Sequence, residues 1–295
     1  MKRFSFVIAF MAFALFALSQ SNYVYVEEAG TLDSLLNAFS LKDATQLTVE
    51  GKLNGSDIKT IRYMLGGRYL ASQEEHGGKL ESLDLTDATI VAGGEAYLFM
   101  ETSSKLEARL FTSNDTVGEM MFWDCVNLKE IKLPLNITVI DGGAFQECVS
   151  LKSISIPEGI TTINHGMLWG CNSLESVNLP STLTHVYNYI IEECPNLNTL
   201  RCLASEPPIC ETNSFNSVER IILYVPEGCK EKYKMSAGWN VFATIIEENQ
   251  SSIKTYQSQS ESIKTYMIFD LSGKQIQGSP DKGIYIQNGR KFINK

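Results

Sequence analysis

The chain has 295 residues, 44% hydrophobic and 20% charged, a globular composition with apolar material for a sizeable core in one or two domains. A net charge of −9 and a pI near 5.0 lack the basic field that phosphate binding needs, which excludes nucleic acid as a partner class and disfavours anionic membranes.

At the N-terminus, Lys2 and Arg3 precede the apolar run Phe4–Leu18, broken only by Ser5, and Ala17-Leu18-Ser19 supplies small residues at its exit. This reads as a secretory signal over 1–19 and predicts an exported chain. The run is shorter than the ~20 residues of a membrane-spanning helix, and no second long apolar segment follows, so no membrane span is expected in the mature chain. The first cysteine is Cys125, which leaves none to be acylated at a mature N-terminus.

Residues 20–79 predict a helical N-terminal cap. Leu32, Leu35, Leu36 and Phe39 stand at helical spacing behind Thr31, an N-cap candidate. Ile58, Ile61 and Leu65 repeat the pattern, with Ser56 or Asp57 ahead and Gly66-Gly67 as a stop. Between them, Leu47-Thr48-Val49 reads as a strand. Gly93–Val117 fits no period and is expected to be a long loop or a distorted coil.

From Asp124 the chain becomes periodic. Cys125, Cys148, Cys171 and Cys194 are spaced by 23 residues. Leu128, Leu151, Leu174 and Leu197 repeat three residues later, Ile131, Ile154, Val177 and Leu200 six later, and Leu133, Ile156, Leu179 and Cys202 eight later. Pro134, Pro157 and Pro180 close that segment, as a residue unable to donate to a ladder should. Phe122, Phe145, Leu168 and Ile191 precede the cysteines by three.

A 23-residue period lies in the leucine-rich-repeat range, and stacked coils at about 4.8 Å bury what one coil leaves exposed. The fold class expected over 80–248 is a β-rich leucine-rich-repeat solenoid, a right-handed coil with parallel sheets and a C-terminal cap. The cysteines then read as a ladder of buried free thiols at one corner. Disulfide rungs fit less well, because parallel side-chain vectors do not give the torsion of a disulfide. Zinc fits least, since one cysteine per coil makes a line rather than a converging cage.

The pattern L-x-x-I-x-I-P-x-x-I-T-x-I, followed by A-F-x-x-C, resembles the BspA-like leucine-rich repeats of bacterial surface proteins. Leu151–Cys171 and Gly142-Gly143-Ala144-Phe145 carry it best. Leu80–Ala88 resembles the first, atypical repeat of such proteins. Val186–Cys194 departs from the pattern and predicts a distorted coil. Cys202–Pro208, Ile222–Pro226, Tyr233 and Gly238-Trp239 resemble the family's closing segment, a strand and a short helix over the last coil. Cys210 and Cys229 lie there, outside the ladder, where a pair is possible in an exported protein.

Residues 249–265 are polar, repeat Ser-Ile-Lys-Thr-Tyr, and read as a linker. Over 266–295, apolar segments flank Ser272-Gly273 and Asn288-Gly289, and Asn-Gly between strand-like runs is a strong hairpin signal. A short C-terminal β-hairpin tail is expected. It resembles the end of type IX secretion sorting modules, which implies a Gram-negative source and either a sorting signal or an inert appended β-domain.

The chain carries no nucleophile elbow, zinc-protease motif, phosphate loop or dinucleotide fingerprint. His76, His165 and His185 fall in unrelated positions, Cys171 beside His165 is a poor nucleophile if buried, and Asp84 and Asp87 read as turn residues rather than calcium ligands. No enzyme activity and no cofactor are expected.

What remains is surface. The strand period turns Glu130, Ser153, Ser176 and Thr199 outward in one column and Lys132, Ser155, Asn178 and Arg201 in another, with Thr138, Thr161 and Thr184 in a third. These columns are the expected binding face. The resemblance implies a cell-surface adhesin whose partner is an extracellular, matrix or cell-surface protein. The alternative is a glycan-binding accessory protein, which would use exposed aromatics among Trp123, Trp169 and Trp239.

Overall fold

The structure, a computed structural model, describes residues 22–68, 77–101 and 107–249, and the strands 268–270, 275–276, 283–287 and 290–294. The signal segment, His76, linker residues 250–265 and the Ser272-Gly273 and Asn288-Gly289 dipeptides lie outside the described residues. The chain divides into two compact units, Met1–Asn249 and Gln250–Lys295.

The first unit is the leucine-rich-repeat solenoid that the period predicts. Its main sheet is parallel and runs through β1 (Tyr23–Val26), β2 (Gln46–Leu53), β3 (Ser82–Asp84), β8 (Glu130–Lys132), β10 (Ser153–Ser155), β12 (Ser176–Leu179), β14 (Thr199–Cys202), β16 (Ile222–Pro226) and β17 (Thr244–Glu248). β4 (Ala88–Ile90) pairs with the far end of β2. Short strands on the other side of the coils form smaller parallel ladders, β7 (Thr116–Val117) with β9 (Val139–Ile140), and β11 (Thr162–Ile163) through β13 (His185–Val186) to β15 (Ile209–Cys210).

Register follows the repeat: Ser153 pairs with Ser176 and Ser176 with Thr199, while Ile154 meets Val177 and Val177 meets Leu200 one position on. The inward set is fully buried, and Phe122 stacks on Phe145 with centroids 5.3 Å apart and planes 7° from parallel. Burial of one such side chain contributes about 1.5–3 kcal/mol.

The N-terminal region is more than a helical cap. It holds two βα units whose strands β1 and β2 extend the main sheet, with α1 (Leu32–Ala38) and α2 (Gly55–Met64) in place of the return strands. Period-2 alternation in Tyr23–Val26 marks the strand that helical spacing does not reveal. Thr31 is the N-cap of α1 as expected, but its side chain makes no capping bond; its hydroxyl donates to the Glu28 carbonyl, 2.7 Å. The N-cap of α2 is Asn54, ahead of Ser56 and Asp57, and Asp57 closes a capping box.

Gly93–Val117 is not a loop. β5 (Gly93–Glu101) and β6 (Glu107–Thr112) form an antiparallel hairpin inserted between coils and followed by β7. Leu98 and Leu110 lie opposite each other on its inner face, which helical or 23-residue templates cannot register. Val186–Cys194 keeps its inter-coil bonds, with Leu168 N donating to Ile190 O, 3.0 Å, and Tyr189 N to Asn213 O, 2.8 Å. The coil is therefore regular, because backbone pairing tolerates the replaced side chains.

At the far end α3 (Lys230–Met235) and Trp239 close the core, as the closing segment implies. Trp239 donates from Nε1 to the Pro208 carbonyl, 2.7 Å, and the Tyr233 hydroxyl to Ala204 O, 2.7 Å. The terminal unit is four-stranded rather than a single hairpin, in the order β19 (Gln275–Ile276), β18 (Ile268–Asp270), β20 (Gly283–Gln287), β21 (Arg290–Asn294), and is antiparallel throughout.

Candidate binding face and cysteine corner

The outward columns expected from the period are real. Glu130, Ser153, Ser176 and Thr199 stand in register, as do Ser155, Asn178 and Arg201, with Lys132 on the same face. Their neighbours in each strand, Ile131, Ile154, Val177 and Leu200, point into the core. Ser82 and Asp84 continue the columns on one side, and Ile222, Tyr224, Thr244 and Ile246 on the other. The period alone reaches Ile222 and Tyr224, which lie one repeat beyond Thr199 and Arg201.

The two columns differ in how firmly they are held. Lys132 pairs with Asp84, 3.1 Å, and Asp84 also accepts from Thr86 N and Oγ1, at 3.0 and 2.6 Å. Burial would push the Asp84 carboxyl up, but the Thr86 bonds and Lys132 together hold it below the usual range. That assigns Asp84 to a turn and an ion pair. Asn178 donates to Ser155 Oγ, 2.9 Å. Arg201 lies over the Tyr224 ring, 4.7 Å from its centroid, and reaches Glu248 at 3.3 Å, with its side chain only 14% exposed. Arg201 is thus a fixed, stacked cation and not a freely moving one, whereas Glu130, Ser153 and Ser155 are exposed.

Thr138, Thr161 and Thr184 are exposed but do not share this face. They precede the short strands of the other ladders, where the Thr184 hydroxyl donates to Thr161 O, 3.0 Å.

At the corner, the thiols form a ladder of hydrogen bonds. Cys148 Sγ donates to Phe122 O at 3.0 Å, Cys171 to Phe145 O at 3.2 Å and Cys194 to Leu168 O at 3.2 Å. Each bond joins one coil to the one before it. All seven cysteines are free, including Cys210 and Cys229, which point to the Pro208 and Ser205 carbonyls instead. Burial pushes the Cys125 thiol up to about 11 and Cys194 up to about 12, and holds Cys148 and Cys171 far above the ordinary thiol range. Thiols so protonated are poor nucleophiles. Among the described residues, no group of three or more His, Cys, Asp or Glu is arranged to hold a metal ion.

The corner also repeats a backbone conformation. Five residues before each cysteine φ is positive: 52° at Met120, 62° at Gly143, 61° at Gly166 and 59° at Tyr189. One residue before, it is positive again at Asp124, Glu147, Gly170 and Glu193. The glycines at 143, 166 and 170 are the sequence signal for this pair of turns.

Of the tryptophans, Trp239 is completely buried, which removes it as a glycan platform; burial of the closing helix against the last coil is the reason. Trp123 and Trp169 are half-buried at the corner and not on the main sheet.

Parallel coils, a repeated buried column and an open polar sheet define a leucine-rich-repeat solenoid. Consistent with this, residues 95–221 match the BspA type leucine rich repeat region in six copies, a span that includes most of the hairpin. Similar solved structures include a leucine rich cell surface protein from Faecalibacterium prausnitzii A2-165 (17% identity, 70% of this chain and 40% of that one, TM-score 0.34), and the pneumococcal vaccine antigen PcpA (14% identity, 70% and 58%, TM-score 0.28). The chain spans less than two thirds of the length of either. No curated protein matches it. No helix among the described residues is long and apolar enough to cross a membrane.

Proposed function

We propose that this chain is an exported, non-enzymatic binding protein, adhesin-like, that docks an extracellular or cell-surface protein on the outer face of its main sheet. The observation that carries this reading is the pair of in-register outward columns through Glu130, Ser153, Ser176 and Thr199, and Lys132, Ser155, Asn178 and Arg201. Small polar side chains leave this sheet accessible to a partner's backbone and side chains, and open sheets of this kind are the recognition surfaces of repeat proteins. Arg201, preorganised on Tyr224, is the anchor of the sort that dominates interface energies.

Export over residues 1–19, domains at 20–79, 80–248, 249–265 and 266–295, and a Gram-negative source belong to the same proposal. The tail is read as an appended β-domain. Its alternative, a type IX sorting signal, predicts that deleting 266–295 traps the protein in the periplasm.

The test is binding of the mature chain to immobilised fibronectin, fibrinogen and other matrix proteins, beside a Ser155→Glu/Asn178→Glu variant. Saturable binding that the variant loses supports the sheet. Binding unchanged in the variant moves the site elsewhere, and no binding to any of them removes the matrix-adhesin reading.

A further inference from the structure

The corner turn has a backbone rule, and Tyr189 fits it badly. At this position of the repeat the chain is left-handed, and two of its four occupants are glycine. A residue with a Cβ costs about 1–2 kcal/mol there. Such strain persists where the surrounding structure over-determines it, and it is enriched at functional sites. Even so, Tyr189 remains 37% exposed.

The ring is nonetheless held. Its hydroxyl accepts from Asn213 Nδ2, 3.1 Å, and Asn213 N donates to Asn188 Oδ1, 3.3 Å. Beside it stands Trp169 of the preceding coil, with centroids 6.0 Å apart and planes tilted by 44°. Gly166, the turn residue of that coil, leaves the Trp169 ring over bare backbone: a Cβ added there would lie 3.9 Å from it. Tyr187, 43% exposed, is two residues away. Two carboxylates belong to the same corner of the neighbouring coils. Glu192 accepts from Asn216 Nδ2, 2.7 Å, and Glu147 lies against Gly170, the residue after Trp169.

We propose that Trp169 and Tyr189, with their amide and carboxylate neighbours, bind a neutral carbohydrate. Half-exposed ring faces take the apolar face of a pyranose, and a few fixed polar groups take its hydroxyls, the mixture that small-molecule sites use. The carboxylates argue against the other occupants. Glu and Asp are depleted at the cores of protein interfaces, and an acidic glycan would be repelled. The site is separate from the main sheet and stands independently of the protein-binding reading.

The test uses the full chain, titrated with cello-, malto-, xylo-, manno- and chito-oligosaccharides and with heparin, and followed by the tryptophan indole NMR signals. Trp169 is assigned by the signal lost in Trp169→Phe. One neutral oligosaccharide is expected to shift the Trp169 signal saturably. Tyr189→Gly is expected to weaken that binding at least about tenfold. Matrix-protein binding by the sheet should be unchanged in this variant. No shift with any neutral sugar, stronger binding of heparin, or full sugar binding by Tyr189→Gly would each overturn the proposal.

Discussion

The regular coils and the N-terminal βα units solve one problem in different ways. Between Cys125 and Cys194 each coil meets a near-copy of itself, so apolar columns stack and backbone groups pair without help from charge. At the N-terminal end the helices have no such copy, and their open backbone groups are met by buried ions. Asp57, 1% exposed, accepts from Gly30 N at 2.6 Å, Leu32 N at 3.0 Å and Asn54 N at 2.9 Å, and so serves the first turns of both helices. Arg62, 2% exposed, donates to the carbonyls of Met120, Met121 and Arg68, at 3.2, 2.8 and 3.1 Å. Arg68 in turn pairs with the buried Asp124. A repeat can complete itself; an end has to be completed by specific side chains.

The strongest way to break the regular region is Phe145→Ala. It opens a cavity beside Phe122 and should lower stability by about 3–5 kcal/mol in urea melts. Arg62→Met tests the end. It strands carbonyls that the guanidinium serves, at about 1–3 kcal/mol each, so a loss of roughly 3 kcal/mol is expected, with amides of 22–68 exchanging faster than those of the coils. A loss as small as a surface substitution gives would deny the charge its structural role.

Glu193→Gly sharpens the corner rule. It should stabilise by about 1 kcal/mol, since glycine occupies the left-handed turn without Cβ strain; a lower melting temperature would refute this. The smallest effect concerns pH. Burial, then Glu193 and Asp124, push the Glu147 carboxyl above its ordinary range, against Arg68. A carboxyl raised in the folded state costs nothing when protonated in both states, and destabilises as pH rises from the ordinary carboxylate range through its raised pKa. Glu147→Gln should therefore melt higher than the parent at neutral pH and lose that advantage in acid.

The coils were legible because the period repeats every constraint: Leu128, Ile131 and Leu133 recur with their burial and their register. The outward columns followed from the same alternation as far as Thr199 and Arg201. What escaped depends on single occurrences. The hairpin of β5 and β6 has no second copy to align, β1 is a short strand next to an unaligned start, and Asp57 caps a helix begun 25 positions earlier in the chain, a bond that no local motif encodes. The held geometry of Arg201 needs Glu248, 47 residues away, and only folding brings them together.

The corner bonds have a consequence for how such a chain changes length. Each thiol reaches back to the preceding coil, 26 residues earlier. Excising Cys148–Gly170 would join Glu147 to Cys171 with an equivalent carbonyl still waiting, and every later column would keep its partner. Excising one residue fewer would turn the inward side chains of the following strand to the outer face. Insertions and deletions are therefore tolerated in whole coils and punished in fractions, so the molecule can lengthen or shorten its reach in fixed steps while its end pieces stay the same.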